Sequence, residues 1–175
     1  VLGNMNPQGV SVRSYKAPTP EELSHDFLWR IHHYAPPKRM VQNFNLKNVI
    51  FLPYQPKSEL PFSLTAPSVS IVTYENYLEG LLMPSKLYTT LAAGVPVVGL
   101  CYNNSEVARI IKEAECGFIV EGNNANQFYS SIMNIKNDFE TQKRLGSNSR
   151  KYFEENFTLE IAVKKYFDII NLNFR

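Results

Sequence analysis

The chain has 175 residues, of which 44% are hydrophobic and 19% are charged. This balance is typical of one folded globular domain and excludes a disordered chain. Its 18 basic and 16 acidic residues give a formal net charge of +2, and the basic residues are scattered, which argues against nucleic-acid binding. No apolar stretch approaches the roughly 20 residues of a membrane-spanning helix. Cys101 and Cys116 have no further cysteine or histidine at ligand spacing, so we expect reduced thiols and no zinc site.

The first part of the chain combines a turn-rich stretch with one helical pattern. Residues Val10–Arg13 alternate in a way that fits an edge strand. A helix is predicted over Pro20–Tyr34, because Thr19 is a suitable N-cap and Pro36 ends the apolar run. The three histidines of the chain fall in or beside this helix, and we interpret them as surface or interface residues rather than metal ligands: His25, His32 and His33.

From Asn48 onward, short β-branched runs alternate with helical patterns, which is typical of a parallel sheet with crossover helices. The predicted strands are Asn48–Leu52, Val69–Thr73, Val95–Leu100 and Gly117–Val120. The predicted helices are Lys57–Thr65, Ser85–Ala93, Glu106–Ala114 and Asn124–Ile135. Two apolar stripes at helical spacing are assigned to the core: Val107, Ile110, Ile111 and Ala114, and then Phe128, Ile132 and Ile135.

Two further helices are predicted at the end of the chain, over Phe139–Glu154 and Leu159–Leu172, the second of them capped by Thr158. One apolar line at helical spacing is expected to be the buried face of the last helix: Leu159, Val163, Tyr166 and Ile170. The predicted fold class is therefore α/β, a Rossmann-like parallel sheet with flanking helices and with helices at the C-terminus.

The richest polar segment follows the predicted strand that ends at Thr73. It leads into a helix start at Pro84, where the backbone amides near Ser85 and Lys86 and the lysine ammonium together favour a phosphate group. Upstream, Glu79 has a carboxylate that can accept hydrogen bonds from sugar hydroxyls. The alternative interpretation is a capped helix with a solvated lysine and an acidic loop residue, and the residues by themselves leave both open.

Three common catalytic and nucleotide-binding motifs are absent from the sequence. There is no Gly-x-Gly-x-x-Gly, which argues against a dinucleotide site, and no Gly-x-x-x-x-Gly-Lys-Ser/Thr, so no phosphate-binding P-loop is encoded. No Gly-x-Ser-x-Gly frames a nucleophilic serine. With these motifs absent, the helix start at Pro84 is the candidate phosphate-binding position in this sequence.

Five motifs follow one another along the chain: Asn48-Val49-Ile50-Phe51-Leu52-Pro53-Tyr54, Glu79-Gly80, Pro84-Ser85-Lys86-Leu87-Tyr88, Leu91-Ala92-Ala93-Gly94-Val95-Pro96-Val97-Val98 and Cys116-Gly117. In the order and spacing of these motifs, residues 46–173 resemble the C-terminal domain of GT-B fold glycosyltransferases, above all the family 4 group that includes colanic-acid and other cell-surface polysaccharide enzymes. In that family the domain binds a nucleotide-sugar donor, usually UDP- or GDP-linked, without a metal ion, and the glycosyl group is transferred with retention.

The resemblance implies three groups of donor-binding residues. Pro53, Tyr54 and Gln55 match the loop that lines the base. Glu79, Gly80 and Leu81 match the loop that faces the donor sugar and phosphates, and Glu79 is the candidate catalytic residue. Ser85, Lys86 and Leu87 match the helix start that receives the diphosphate. Many family members place a second glutamate at the position of Leu87, or of Thr89 counted back from Gly94, so the ribose contact is unassigned here.

Residues 3–45 resemble a different family, polyphosphate kinase 2, whose members phosphorylate nucleotides from polyphosphate. The similarity is carried by Asn6-Pro7-Gln8-Gly9-Val10, Ser14-Tyr15-Lys16-Ala17-Pro18 and Glu21-Glu22-Leu23-Ser24-His25-Asp26-Phe27-Leu28-Trp29-Arg30-Ile31-His32. The P-loop of that family is absent, so no kinase site residue is assigned. We therefore expect residues 1–45 to be a kinase-like segment rather than a complete domain, residues 46–175 to be the glycosyltransferase C-terminal domain, and a junction near Asn45.

The resemblance implies the donor-binding half of a retaining glycosyltransferase in cell-surface polysaccharide biosynthesis. The expected partners are a nucleotide-sugar and an N-terminal acceptor domain, in an intact cytoplasmic enzyme peripheral to the inner membrane. Since Val1 is not an initiator methionine, we expect the chain to be a piece of a longer protein. We expect it to be inactive alone, because the acceptor domain that positions the reacting groups and excludes water is missing. The alternatives are a non-catalytic nucleotide-binding or packing module and a fragment of a polyphosphate-dependent phosphotransferase. The donor sugar, the base, the acceptor and the oligomeric state are left open by the sequence.

Overall fold

The computed structural model describes residues 10–12, 30–31, 41–52, 55–74, 82–122 and 124–173. Six strands are present in these ranges: β1 (Val10–Val12), β2 (Arg30–Ile31), β3 (Phe51–Leu52), β4 (Ser70–Thr73), β5 (Val97–Leu100) and β6 (Gly117–Val120). Residues 41–43 are helical. The elements that follow are a 3-10 turn at Lys57–Glu59 and the helices α1 (Leu60–Thr65), α2 (Ser85–Ala92), α3 (Glu106–Glu113), α4 (Ala125–Asn137), α5 (Phe139–Asn156) and α6 (Leu159–Asn173).

The front of the chain forms a small antiparallel sheet of order β2-β1-β3. The predicted strand at Val10–Arg13 is confirmed over Val10–Val12, but it is the middle strand and not an edge. The predicted helix over Pro20–Tyr34 is wrong at Arg30–Ile31, which form β2, and the remainder of that helix lies outside the described residues. Pairing with β1 supplies these two residues with ladder hydrogen bonds, and tertiary partners of this kind override a local helical preference.

The second sheet is parallel, of order β4-β5-β6. Three of the four predicted parallel strands are confirmed in it with bounds shifted by two residues at most. The fourth prediction, Asn48–Leu52, is wrong in its partner, because only Phe51–Leu52 are extended and they pair antiparallel with β1. The sequence pattern identifies a β-strand here but carries no information about which strand lies beside it.

Four helices begin directly after a residue whose side chain caps the first turn. Ser105, Asn124 and Asp138 each accept a hydrogen bond from the amide three residues further on, at 3.2, 3.0 and 3.1 Å, and these residues start α3, α4 and α5. The amide of Ile161 donates to the Thr158 hydroxyl at 3.4 Å, which confirms the predicted cap of α6. The predicted helix over 57–65 is present as the 3-10 turn followed directly by α1.

Two buried clusters lie on opposite faces of the parallel sheet, since neighbouring strand residues point to opposite faces. One cluster contains Val97 with residues of α2 and α3, and the other contains Val98 with Ile135 of α4 and Leu145 of α5. The apolar stripe of α3 is buried as predicted. In the stripe of α4, Ile135 is fully buried, while Phe128 and Ile132 are partly buried against the second cluster. Helices therefore cover both faces of the sheet, as the predicted fold class requires.

The last helix, α6, departs from its prediction. The expected buried line is exposed, with fractional exposures of 75% at Leu159, 44% at Val163, 70% at Tyr166 and 50% at Ile170. Among the described elements the contacts of α6 are with α5. Periodicity predicted the apolar face correctly, but burial needs a covering element, and none is present among the described residues.

Both cysteines are free thiols and are buried in the parallel-sheet region. Burial raises the pKa of Cys116 to about 11, against a smaller opposite effect of a hydrogen bond with Ser149. None of the described helices combines the length and the apolarity required to cross a bilayer.

Candidate functional site

The carboxyl ends of the three parallel strands lie side by side. Thr73 of β4 pairs with Leu100 of β5, and Leu100 pairs with Val120 of β6, so the loops that follow all leave from the same edge. Ligands of open parallel α/β sheets bind beyond this edge. The loops after β4, β5 and β6 are therefore the candidate functional region of the described chain.

Helix α2 begins at this edge with Ser85 and Lys86 in its first turn. Its N-cap is Pro84, which has extended backbone angles (φ −68°, ψ 112°) and no side-chain hydrogen bond to the helix. Ser85 is exposed and Lys86 is half-buried. The amino end of a helix has a positive partial charge and outward-pointing amides, so the addition of a lysine at this end favours an anionic group.

Leu87 anchors this helix start from inside. Its side chain is fully buried in the first core cluster, and its amide donates to the Pro84 carbonyl at 2.9 Å. The Thr89 hydroxyl donates to the Lys86 carbonyl at 3.0 Å and closes the first turn. The buried leucine fixes the direction in which the first turn faces, while Ser85 and Lys86 are the side chains nearer to solvent.

Tyr74 holds the segment between β4 and α2 at both of its ends. The Tyr74 amide donates to the Leu100 carbonyl at 3.0 Å, which extends the pairing of β4 with β5, and its hydroxyl donates to the Leu82 carbonyl at 2.7 Å. The ring is 7% exposed. The Thr90 hydroxyl also donates to that of Ser70 at 3.0 Å and joins α2 to β4. The sequence did not indicate this role of Tyr74, because its hydrogen-bond partner lies eight residues further along the chain.

The loops after β5 and β6 are tied together. The side-chain amide of Asn103 donates to Glu121 Oε2 at 2.7 Å, and the Asn103 backbone amide lies 3.5 Å from Glu121 Oε1. Lys112 Nζ of α3 donates to the Asn103 carbonyl at 2.8 Å. These bonds place a carboxylate and an ammonium beside the loop after β5 and limit its movement.

Helix α3 has an exposed charge cluster along its length, from Glu106 at its start to Glu113 at its end. Arg109 Nε donates to Glu106 Oε2 at 2.7 Å, its Nη2 donates to the other oxygen of Glu106, and its Nη1 lies 2.6 Å from both oxygens of Glu113. Arg109 lowers the pKa of Glu106 below its usual value. Hydrogen bonds from Tyr152 and then Arg109 lower the pKa of Glu113. The side chains of Glu106, Arg109 and Glu113 are therefore all charged near neutral pH.

Tyr88 of α2 packs at the carboxyl end of α5. The pKa of Tyr88 is raised by burial and then by the negative charge of Glu106. The Tyr88 ring also packs edge-on against Phe157, with ring centroids 4.8 Å apart, and Phe157 packs against Tyr152 at 5.7 Å. The carboxyl end of α5 thus contacts α2 through Phe157. Its Tyr152 hydroxyl donates to Glu113 Oε2, at the end of α3, at 2.7 Å.

Of the predicted site residues, Ser85, Lys86 and Leu87 lie together at the start of α2. Gln55 is described as a half-buried residue between β3 and the 3-10 turn. The three histidines lie outside the described residues. So do the other predicted donor-binding residues: Pro53, Tyr54, Glu79, Gly80 and Leu81. Within the described ranges no group of three or more His, Cys, Asp and Glu side chains could hold a metal ion.

Known proteins of two different families match this chain, one family over most of its length and the other at its front. The family model of glycosyl transferases group 1 matches residues 32–152. A probable glycosyltransferase, WbjE from Pseudomonas aeruginosa, is 30% identical over 112 residues, which are 63% of this chain and 27% of that protein. The chain therefore spans about a quarter of the length of this relative.

The front of the chain matches the family model of polyphosphate kinase 2 over residues 1–48. An AMP/ADP-polyphosphate phosphotransferase of Meiothermus ruber is 44% identical over 45 residues, which are 26% of this chain and 17% of that protein. An ADP-polyphosphate phosphotransferase of Rhodopseudomonas palustris is 47% identical over 45 residues, 26% of this chain and 16% of that protein. Both expected resemblances are confirmed, and the two matching family models overlap over residues 32–48.

The match to residues 32–152 covers well over half of the chain, whereas the kinase match is confined to the front. The parallel sheet, its flanking helices and the helix start at Ser85 all lie within or begin within the larger match. The chain belongs to the glycosyl transferases group 1 family.

Proposed function

We propose that this chain is the donor-binding half of a retaining glycosyltransferase and that it binds a UDP- or GDP-linked sugar without a metal ion. The observation that supports this most is the start of α2, where Ser85 and Lys86 lie beyond the carboxyl ends of the parallel strands. A nucleotide diphosphate carries negative charge that grows when the glycosidic bond breaks. The helix end and the lysine ammonium stabilise that charge, which is the role that a metal ion has in other enzymes.

The remaining donor contacts are proposed from the family resemblance. Pro53, Tyr54 and Gln55 line the base, Glu79, Gly80 and Leu81 face the sugar and phosphates, and Glu79 is the catalytic candidate. The two hydrogen bonds of Tyr74 support such a site, because they hold both ends of the segment that contains Glu79. Leu87 serves this site through the position of its helix.

Turnover requires more than donor binding. Placing the acceptor hydroxyl against the donor and excluding water supplies a large part of glycosyl-transfer rates. We therefore propose that catalysis needs an N-terminal acceptor domain and that the isolated chain binds the donor without transferring sugar. The intact enzyme is proposed to act in the cytoplasm at the inner membrane, in cell-surface polysaccharide synthesis.

The test is a calorimetric titration of the folded chain with UDP, GDP and their sugar conjugates. Lys86→Ala is expected to weaken binding about 10- to 100-fold, because a hydrogen bond to a charged group contributes about 1.5–3 kcal/mol. Lys164→Ala removes an exposed lysine from α6 and is the matched control, with no change in affinity expected. The base that binds more tightly identifies the donor class.

Two results would contradict this proposal. Equal affinity in the wild type and in Lys86→Ala would remove the helix start of α2 from the donor site. Absence of binding by the folded wild-type chain would favour the alternative, a packing module that has kept the fold of the family but no ligand. A coupled assay with polyphosphate and ADP tests the phosphotransferase alternative, and no ADP phosphorylation is expected because the sequence lacks a P-loop.

A further inference from the structure

A groove lies at the amino ends of the parallel strands, at the edge of the sheet opposite to the proposed donor site. The turns that precede β4 and β5 line it with Pro67 and with residues 94–96. The end of α1 and one face of α5 complete its walls. Its volume is about 410 Å³, which falls in the range of about 300–1,000 Å³ that small-molecule sites occupy. The groove therefore has room for a small ligand.

Helix α5 presents one face to the groove, formed by six residues at helical spacing: Phe139, Gln142, Lys143, Gly146, Ser147 and Arg150. Lys143 and Arg150 are two helical turns apart, which separates their backbones by about 10 Å along the helix axis. Between them lie Gly146, which has no side chain, and Ser147, which has a small one. The two cationic side chains therefore flank a gap in the surface of α5.

The polar groups around this gap are partly used within the chain. Arg150 donates from Nη1 to the Ala92 carbonyl at 2.6 Å and from Nε to Glu154 Oε1 at 2.7 Å. Its Nη2 and the Lys143 ammonium have no hydrogen-bond or ion-pair partner among the residues that the structure describes. No carboxylate is among the described residues that line the groove. The gap therefore has an excess of positive charge, which Glu154 offsets in part.

The strand side of the groove and the first turn of α5 are apolar. Pro67, Val95 and Pro96 line the groove beside the strands, and the ring of Phe139 is 59% exposed at the start of α5. An exposed aromatic ring is stabilised when a second ring packs against it edge-on or offset. A ligand that suits both parts of the groove has one anionic group and one apolar ring.

We propose that this groove is a second ligand site and that it binds a small phosphate monoester with an apolar ring. The phosphate lies between Lys143 and Arg150, and the ring packs toward Phe139. Near neutral pH a phosphate monoester carries about 1.5 to 2 negative charges, which suits two neighbouring cations better than a carboxylate does. The length of the parallel strands separates this groove from the start of α2, so the inference is independent of the proposed donor.

An NMR titration of the full chain with phenyl phosphate tests the site. The backbone amides of Gly94 and Gly146 report on the groove, and the amide of Lys86 reports on the proposed donor site. We expect saturable shifts at Gly94 and Gly146 with a Kd of about 1–5 mM, the affinity usual for a ligand of about ten non-hydrogen atoms. Inorganic phosphate lacks the ring and phenol lacks the phosphate, so each is expected to bind about threefold or more weakly.

Two substitutions in α5 are expected to change this affinity in opposite directions. Lys143→Gln should weaken the binding of phenyl phosphate about three- to fivefold, the effect of one exposed ion pair. Glu154→Gln should tighten it about twofold, because a carboxylate that competes for the guanidinium of Arg150 is removed. Lys151→Gln and Glu155→Gln remove the same charges from α5 outside the groove, and these matched controls should leave the Kd unchanged. All four side chains are exposed, so the variants are expected to fold like the wild type.

Absence of saturable shifts at Gly94 and Gly146 would overturn the proposal. Shifts confined to Lys86 would overturn it as well, since they would place the probe at the donor site. An unchanged Kd in Lys143→Gln would exclude the lysine from the site and contradict the proposed contact with phosphate. Equal affinity for inorganic phosphate would reduce the groove to a surface charge, and equal affinity for phenol would reduce it to an apolar patch. Either of these two results would refute a site that recognises both groups.

Discussion

Gly146 is the position at which helix α5 approaches the turn before β5 most closely. A Cβ atom at residue 146 would lie 2.5 Å from the Gly94 carbonyl oxygen, 3.5 Å from the Gly94 carbonyl carbon and 3.6 Å from Pro96 Cδ. Because this oxygen belongs to the backbone and not to a flexible side chain, it cannot move aside to make room. Gly146→Ala must therefore push α5 away from the turn.

The turn has little freedom to follow. The Ser149 hydroxyl donates to the Val95 carbonyl at 2.9 Å and Arg150 Nη1 donates to the Ala92 carbonyl at 2.6 Å, so a shift of α5 stretches both bonds. Overpacking lowers the free energy of unfolding by about 1–3 kcal/mol, and a clash with a backbone atom that cannot move aside belongs to the upper part of that range, about 2–3 kcal/mol. Alanine has a better helix propensity than glycine, and this raises the free energy of unfolding by about 1 kcal/mol. We expect a net loss of about 1–2 kcal/mol, which lowers Tm by about 2–8 °C in a chain of this size.

The assay is thermal and urea unfolding followed by circular dichroism. Ser147→Ala is the matched control, because the neighbouring side chain is exposed and its replacement is expected to change stability by less than about 0.5 kcal/mol. A Gly146→Ala chain as stable as the wild type, or more stable, would refute the argument from close approach.

Two further predictions concern titrating groups. The native chain at pH 8 is expected to react slowly with thiol reagents, since Cys101 is 4% exposed and burial raises the pKa of Cys116 to about 11. Unfolding should make both thiols reactive. Fast reaction of both thiols in the native state would contradict this prediction. Glu106 and Glu113 have folded pKa values below their usual 4.5, so their stabilising contribution is present above pH 4.5 and is lost as the pH falls through the folded values. Melting temperatures below pH 4.5 should therefore fall less from their neutral-pH value in Arg109→Gln than in the wild type, and parallel acid profiles would count against the charge cluster.

Much of the local structure follows from the sequence because its signals are short-range. Caps at Ser105, Asn124 and Asp138 start helices where a polar side chain can accept an amide hydrogen bond. The apolar stripe of α3 and the β-branched runs of β4 and β5 are buried because their periods match a helix and a sheet. The fold class and the candidate helix start at Ser85 both depend on signals of this kind.

Partners in space were not predictable in the same way. Tyr74 donates to Leu82 across eight residues of the connection between β4 and α2. Asn103 donates to Glu121 across eighteen residues, because the parallel pairing of β5 and β6 brings the loops that follow them to one edge. A site residue whose role is to hold such loops has no local pattern. The family resemblance supplied candidates for ligand contact, while the structure supplied the residues that hold them.

The sequence by itself determined that this chain builds an α/β sheet, where its later helices begin, and which faces of those helices are apolar. Only the tertiary structure decided that β3 pairs antiparallel with β1 instead of joining the parallel sheet and that the apolar face of α6 is left exposed. The physical reason is the same in both cases. Hydrogen bonding along a strand and apolar periodicity along a helix are properties of the segment, but pairing and burial depend on whichever second segment the folded chain brings beside it.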